Sequence, residues 1–144
     1  MVLPGAQALL GFQLAVFLTE RFAGLPRASH LAHLGALAAI TVGVVLLITP
    51  AAYHRIVERG EESEEFLRVA SRLVVGALVA IALGLAGDVY VVFRMVLESD
   101  SAAIAAAVVS LAVILGLWFG LTLAARARRE RSRPRRGAAA HARA

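Results

Sequence analysis

A few ionisable side chains lie inside long apolar stretches of this sequence, and they are the strongest candidates for chemistry. Asp88 is the deepest carboxylate, because it lies well inside the apolar stretch 69–97. A carboxylate within a membrane is a functional candidate by default, since an unpaired charge in hydrocarbon is costly. Glu20 belongs to the first apolar stretch, and His33 to the second. Since histidine titrates near neutral pH, these three residues are predicted to form a protonatable cluster for proton or monovalent-cation movement.

Gln13 and Arg94 complete the set of pathway candidates. Gln13 and Glu20 are seven residues apart, so on one helix they project within about 20° of each other and should face a protein interior. Arg94 is six residues from Asp88, about 240° around a helix, so no pair is expected within that helix. The alternative is a non-transporting accessory or scaffold protein, which binds partner helices or lipid and whose buried charges only hold its own helices together.

Metal, cofactor and enzyme chemistry receive less support. His30 and His33 have the spacing i, i+3, which can present two imidazoles to one metal with Glu20 or Asp88 as a third ligand, although a capping His30 and a hydrogen-bonded His33 leave the same pattern. The sequence has no cysteine, which excludes disulfides and thiolate sites. Phosphate-binding, dinucleotide, nucleophile-elbow and zinc-protease motifs are also missing from the sequence. We expect no enzymatic activity and no cofactor, and the metal alternative at the two histidines stays open.

The elements that must position these residues are four apolar blocks, in a chain that is 60% hydrophobic with a mean hydropathy of +0.77. They are Gly5–Phe22, Leu31–Tyr53, Val69–Leu97 and Ala102–Ala125. Each approaches or exceeds the ~20 helical residues that cross a bilayer core. The fold class is therefore predicted to be all-α, a four-transmembrane-helix bundle over residues 1–125. The start of the chain has no basic region before its apolar block, so that block is expected to be a retained span.

The distribution of arginine predicts the orientation. All 15 basic residues are Arg, which we interpret as a GC-rich coding bias and hence a bacterial cell membrane. Twelve of them lie between blocks two and three, at Arg72 in the first turn of block three, or after block four, and only Arg21, Arg27 and Arg94 lie on the other side. By the positive-inside rule both termini are cytoplasmic, and the predicted cluster opens to the outside.

The segment 126–144 is predicted to be an Arg-rich cytoplasmic tail that is disordered after about Arg133. A dense basic run that directly follows a span attracts anionic lipid. Nucleic acid is the competing interpretation, but the run has no aromatic residue on which a base could stack. We therefore expect anionic lipid, and no nucleic acid, as its partner.

Local patterns predict further details. Ser29 is a candidate N-cap of the second span, Pro50 should loosen that span's last turn, and the third helix should begin in water near Glu64. Small residues recur at every fourth position in three blocks, a pattern that commonly marks helix contacts in membranes and predicts a homo-oligomer. The three stripes are Gly35, Ala39 and Gly43; Gly76, Ala80 and Gly84; and Ala112, Gly116, Gly120 and Ala124.

Two motifs carry a resemblance to a known family. The run Leu-Pro-Gly-Ala-Gln-Ala-Leu-Leu-Gly-Phe-Gln-Leu at 3–14 is followed by Pro-Ala-Ala-Tyr-His-Arg at 50–55. Together they resemble small actinobacterial four-helix integral membrane proteins of unknown function, some of which carry a sodium:proton antiporter label. The resemblance covers residues 3–97. It implies the four-helix architecture and no mechanism, and it draws attention to Gln7, Gln13, His33, His54 and Arg55.

Overall fold

The computed structural model describes residues 2–58 and 63–132, and every element in these ranges is helical. The α-helices are α1 (Val2–Phe17), α2 (Glu20–Ala23), α3 (Arg27–Tyr53), α4 (Glu64–Leu97), α5 (Asp100–Leu115) and α6 (Leu121–Ser132). A π-helical turn at His54–Glu58 follows α3, and another at Gly116–Gly120 joins α5 to α6. The prediction of an all-α fold is confirmed.

Three helical stretches are long and apolar enough to cross a membrane. They are Arg27–Ile56, Glu64–Leu97 and Asp100–Arg129, with mean hydropathies of 2.4, 2.2 and 2.5. Many of their large apolar side chains are exposed on the protein, as expected of a surface that faces acyl chains. The apolar part of α1, Gln7–Phe17, is shorter. These lengths and compositions indicate a multi-pass membrane protein with three candidate spans.

The first predicted block, Gly5–Phe22, is not one continuous helix. Helix α1 ends at Phe17, and Thr19 begins the short helix α2 as its N-cap, with its hydroxyl accepting a hydrogen bond from the Phe22 amide at 3.3 Å. The same hydroxyl donates to the Val16 carbonyl at 2.8 Å. A threonine side chain that bonds nearby backbone groups competes with the helical ladder. The break removes Glu20 from the helical face that carries Gln13.

The ends of α3 and α4 test three local predictions. Helix α3 begins at Arg27 with Pro26 at its N-cap position, so the expectation that Ser29 caps it is wrong. Helix α4 begins at Glu64, as predicted, and the Ser63 hydroxyl accepts from the Phe66 amide at 3.1 Å. Helix α3 continues past Pro50, whose ring nitrogen has no hydrogen to donate, and becomes a π-helical turn after Tyr53. The loosening expected of the last turn therefore takes the form of wider helical winding.

The α3–α4 pair forms the centre of the fold through reciprocal glycine contacts. A Cβ atom added to Gly43 would lie 2.6 Å from Ile81 Cγ1 and 3.1 Å from the Ala77 carbonyl oxygen. A Cβ added to Gly84 would meet Ile40 and, at 3.0 Å, the Ala36 carbonyl oxygen. Each helix therefore inserts an isoleucine above the glycine of the other. Because the earlier residue of α3, Ile40, meets the later residue of α4, Gly84, and Gly43 meets Ile81, the two helices run antiparallel.

The pattern behind this packing is the same on both helices. Ala-x-x-x-Ile-x-x-Gly occurs at 36–43 on α3 and again at 77–84 on α4. Small residues let helix backbones approach closely, and in lipid such packing is a principal source of helix association. The predicted stripes are therefore correct at Gly43 and Gly84. At Gly35, Gly116 and Gly120, by contrast, an added Cβ would meet no described atom within 4 Å.

The chain divides into two compact units, 1–112 and 113–144. In the described part of the second unit, the Thr122 hydroxyl lies 2.9 Å from the Trp118 carbonyl oxygen and 3.0 Å from that of Phe119. It thus bonds to the π-helical turn just before it. Helix α6 continues through Ser132, and disorder is predicted only after about Arg133. Residues 133–144 lie outside the described part of the chain.

Candidate functional site

Helices α1, α3 and α4 bring together three of the predicted site residues. The Gln13 amide nitrogen, Nε2, donates to Asp88 Oδ1 at 2.7 Å. His33 Nδ1 lies 3.9 Å from the same carboxylate oxygen, and His33 Nε2 lies 3.1 Å from the backbone carbonyl oxygen of Gln13. We call Gln13, His33 and Asp88 the polar cluster. Since its members come from three helices, its contacts connect the N-terminal helix to the α3–α4 pair.

The polar cluster is buried to different degrees. Gln13 and His33 are each only 3% exposed, whereas the Asp88 side chain is 22% exposed. The ring of Phe22, itself buried, packs edge-on against His33 with the ring centres 4.9 Å apart. This contact and the bond to the Gln13 carbonyl hold the imidazole in place. Asp88 is therefore the member that an incoming molecule can reach.

Hydrogen-bond roles within the polar cluster follow from its partners. The backbone carbonyl oxygen of Gln13 can only accept, so His33 Nε2 must carry the proton and donate to it. In the neutral imidazole, Nδ1 is then an acceptor. The Gln13 amide nitrogen donates to Asp88, which leaves Gln13 Oε1 as a second acceptor. Both Gln13 Oε1 and His33 Nδ1 are buried, and within the described ranges neither has a hydrogen-bond partner.

This arrangement can hold one further proton or cation. A proton on His33 Nδ1 would face the Asp88 carboxylate across 3.9 Å and form an imidazolium–carboxylate pair. Buried polar atoms are usually hydrogen-bonded, and leaving one unpaired costs about 1–3 kcal/mol. Two unpaired acceptors beside a carboxylate therefore favour a hydrogen-bond donor or a positive charge at this place.

A cavity of about 270 Å³ adjoins the polar cluster, between α1 and α4. Apart from the cluster its lining is apolar and includes Leu9, Phe12, Val16, Leu85, Val92 and Phe93. Phe12 is 71% exposed, and Val92 and Phe93 are also exposed, so the cavity opens at the apolar outer surface of the helices. The polar cluster is thus accessible from the side that lipid would cover.

Glu20 and Arg94 do not join the polar cluster. Glu20 is exposed at the start of α2, beyond the break at Thr19. Arg94 Nε lies 2.7 Å from Asp100 Oδ1 in the first turn of α5, and the Tyr90 hydroxyl donates to the same oxygen at 3.3 Å. Arg94 therefore pairs with the next helix, as expected if it has a structural role. Asp100 was not predicted as its partner, although it lies only six residues after Arg94 in the sequence.

The two histidines at 30 and 33 bond to different carbonyl groups. His30 Nε2 lies 2.9 Å from the Phe22 carbonyl oxygen, and its ring packs against Phe22. Across residues 2–58 and 63–132, no group of three or more His, Asp or Glu side chains is arranged to hold a metal ion. In the described structure His30 thus ties the start of α3 to α2, and His33 belongs to the polar cluster.

The remaining motif positions lie away from the polar cluster. Gln7 is exposed on α1, and Arg55 is exposed in the π-helical turn. The His54 ring packs against Phe66, with ring centres 5.2 Å apart, and Tyr53 stacks on Phe66 at 5.8 Å. Of the five positions to which the resemblance drew attention, Gln13 and His33 form part of the candidate site, and His54 packs where α3 and α4 connect.

The candidate spans and the polar cluster define a helical, multi-pass membrane protein with buried polar groups between its helices. The chain belongs to DUF6328, a family of unknown function whose model matches residues 1–122. The prediction that the chain belongs to a family of unknown function is confirmed, and the match extends beyond the predicted residues 3–97. No curated protein and no solved structure shows a significant match to the chain.

Proposed function

We propose that this protein moves protons or monovalent cations across a bacterial cell membrane through the polar cluster, and that it is not an enzyme. The observation that carries the proposal is the contact of Asp88 with Gln13 and His33 on a helix long and apolar enough to span a bilayer. Ionisable residues at such depth usually mark ion pathways or proton relays. The partly exposed Asp88 carboxylate binds the cation, and His33 Nδ1 takes or returns a proton.

The membrane arrangement is part of the proposal. Helix α1 forms a fourth span, because its Gln13 contacts Asp88, which lies nine residues before the end of α4. Its 16 residues extend about 24 Å, slightly less than the ~30 Å core, a mismatch that local thinning of the bilayer accommodates. Both termini lie in the cytoplasm, where the basic tail meets anionic lipid and not nucleic acid.

A second candidate is the non-transporting scaffold. It is favoured by the way in which the polar cluster is used: Gln13 binds both α4, through its side chain, and α3, through its carbonyl oxygen. Interhelical hydrogen bonds of this kind hold helices together in membranes, with an average worth of about 0.6 kcal/mol. In that case the polar cluster fixes the position of α1 and moves no proton or cation.

The substitution Asp88→Asn separates the two candidates. Asparagine is isosteric and can still accept from Gln13, but it carries no charge and binds no proton. In purified protein reconstituted into vesicles, we expect wild type to dissipate an imposed proton or sodium gradient and Asp88→Asn to lose that flux. Circular dichroism and size-exclusion chromatography show whether the variant remains folded.

The matched control is Glu20→Gln, which removes the exposed carboxylate that lies outside the polar cluster. We expect its flux to equal that of wild type. Wild-type vesicles without flux under any proton or sodium gradient would refute the transport proposal. If wild type shows no flux and Asp88→Asn has a lower midpoint of thermal unfolding than wild type, the scaffold candidate is supported.

A further inference from the structure

The cavity beside the polar cluster and the hydrogen-bonding roles of that cluster together specify a class of ligand. We infer that the site binds a lipophilic amine in its protonated form, with the ammonium group at Asp88 and the apolar body in the cavity. This inference rests on the proposed function, because it names the cation that the same site takes.

The head group is specified by one accessible carboxylate and two buried acceptors beside it. Gln13 Oε1 and His33 Nδ1 are buried and without partners among the described residues, and Asp88 supplies a carboxylate that is partly exposed. One of the two Gln13 amide hydrogens is already donated to Asp88, and the His33 Nε2 hydrogen is donated to the backbone carbonyl of Gln13. An ammonium group has hydrogens to donate and no acceptor, so it matches the accessible Asp88 carboxylate, and the two buried acceptors beside it also favour a positive charge. Charge-assisted hydrogen bonds to a carboxylate are also the stronger kind.

The body of the ligand is specified by the size and lining of the cavity. An engineered apolar cavity of about 150 Å³ holds one benzene molecule, and this cavity has about 270 Å³. That volume greatly exceeds what a bare proton or sodium ion fills, and its walls are aliphatic and aromatic side chains. It accommodates a ring with a short alkyl chain. Small-molecule sites of this kind are mostly apolar, with few polar groups that fix orientation.

The route of entry agrees with a lipophilic ligand. The cavity is bordered by exposed apolar side chains such as Phe12, Val92 and Phe93. Val92 and Phe93 belong to α4, which is long and apolar enough to span a bilayer, and Phe12 belongs to α1. A molecule that partitions into the bilayer reaches Asp88 laterally, without crossing a polar entrance.

The test is equilibrium binding of phenylbutylamine to the full-length protein in lipid nanodiscs, with empty nanodiscs subtracted for partition into lipid. We expect saturable binding by wild type. Phenylbutanol has nearly the same shape without the charge and should bind at least about tenfold more weakly. Asp88→Asn should weaken amine binding by a similar factor and leave binding of the alcohol unchanged.

A second pair of variants tests the cavity without touching the charged group. Val16→Trp places a bulky ring in the lining and should abolish saturable amine binding, while Val45→Trp, at an exposed apolar position of α3 outside the cavity, should not. This pair remains decisive if Asp88→Asn fails to fold. Absence of saturable amine binding by wild type, equal affinity for amine and alcohol, or unchanged binding in Val16→Trp would each overturn the inference.

The same samples distinguish this inference from the proposed function. Gradient-driven flux of protons or sodium without amine binding would overturn the inference and leave the proposed function intact. Saturable amine binding that depends on Asp88, in a protein without any proton or cation flux, would support the inference and refute transport.

Discussion

Substitution of Gly43 by alanine tests whether the close approach of α3 and α4 holds this fold together. The new Cβ atom would lie 2.6 Å from Ile81 Cγ1 and 3.1 Å from the Ala77 carbonyl oxygen, whereas carbon atoms pack best at about 3.5–4.0 Å. Ile81 is 4% exposed, and its branched Cβ restricts rotation about χ1. The side chain therefore has little room to move aside, and the helices must separate.

The magnitude follows from two opposing effects. Overpacking of a well-packed site costs about 1–3 kcal/mol, while alanine is better than glycine inside a helix by about 0.5–1 kcal/mol. We expect a net loss of about 1–2 kcal/mol in the free energy of unfolding. Gly35→Ala is the matched control on the same helix, because its Cβ meets no described atom within 4 Å. That variant should be as stable as wild type or slightly more stable.

The assay is unfolding of the purified protein in mixed micelles with increasing SDS fraction, followed by circular dichroism. Ile81→Ala in the Gly43→Ala background removes the clashing Cγ1 atom, so the double variant should be more stable than the sum of the two single changes predicts. Equal stability of Gly43→Ala and Gly35→Ala would refute the packing argument. Simple additivity in the double variant would show that Ile81 is not the obstacle.

The remaining predictions concern the outer ion pair, the topology and the assembly. Because the Asp100 side chain is 64% exposed, Arg94→Gln should reduce the unfolding free energy by less than about 1 kcal/mol, and adding Asp100→Asn should reduce it no further. A larger, additive loss would contradict this pairing. Reporters fused to the N-terminus and the C-terminus should fall on the same side of the membrane if α1 is a fourth span; opposite sides would leave three spans. Since Gly116 and Gly120 have open space above them, we predict a homodimer. Light scattering in mild detergent should detect the dimer, and Gly116→Val should weaken it. Monomer at every protein concentration would count against this prediction.

Much of the helical architecture and part of the candidate site could be predicted from local sequence. The apolar runs are long enough to require helices in lipid, where every backbone group needs an internal partner. The beginning of α4 at Glu64 was predictable because capping and charge pairing act within one turn. Gln13, His33 and Asp88 could be selected one by one, since a polar side chain in an apolar run needs an explanation wherever the chain folds.

Other features depended on contacts that local patterns do not encode. The helix break at Thr19 was missed because a hydrophobic run does not show when a hydroxyl will bond backward to Val16 and forward to Phe22. With that break, the helical face predicted to join Gln13 to Glu20 is interrupted. Ser29 was expected to cap α3 and is instead inside the helix and 1% exposed.

The sequence by itself determined that this protein is helical, that its helices are apolar enough for a membrane, and which few polar residues lie among them, because composition and period depend only on the order of residues. Only the tertiary structure decided which polar residues meet. Gln13 and Asp88 are 75 positions apart, and their contact depends on how α1 lies against α3 and α4. The same packing leaves two acceptors beside a carboxylate at an apolar cavity. Distances between atoms on different helices result from interhelical packing, and no spacing along one helix contains them.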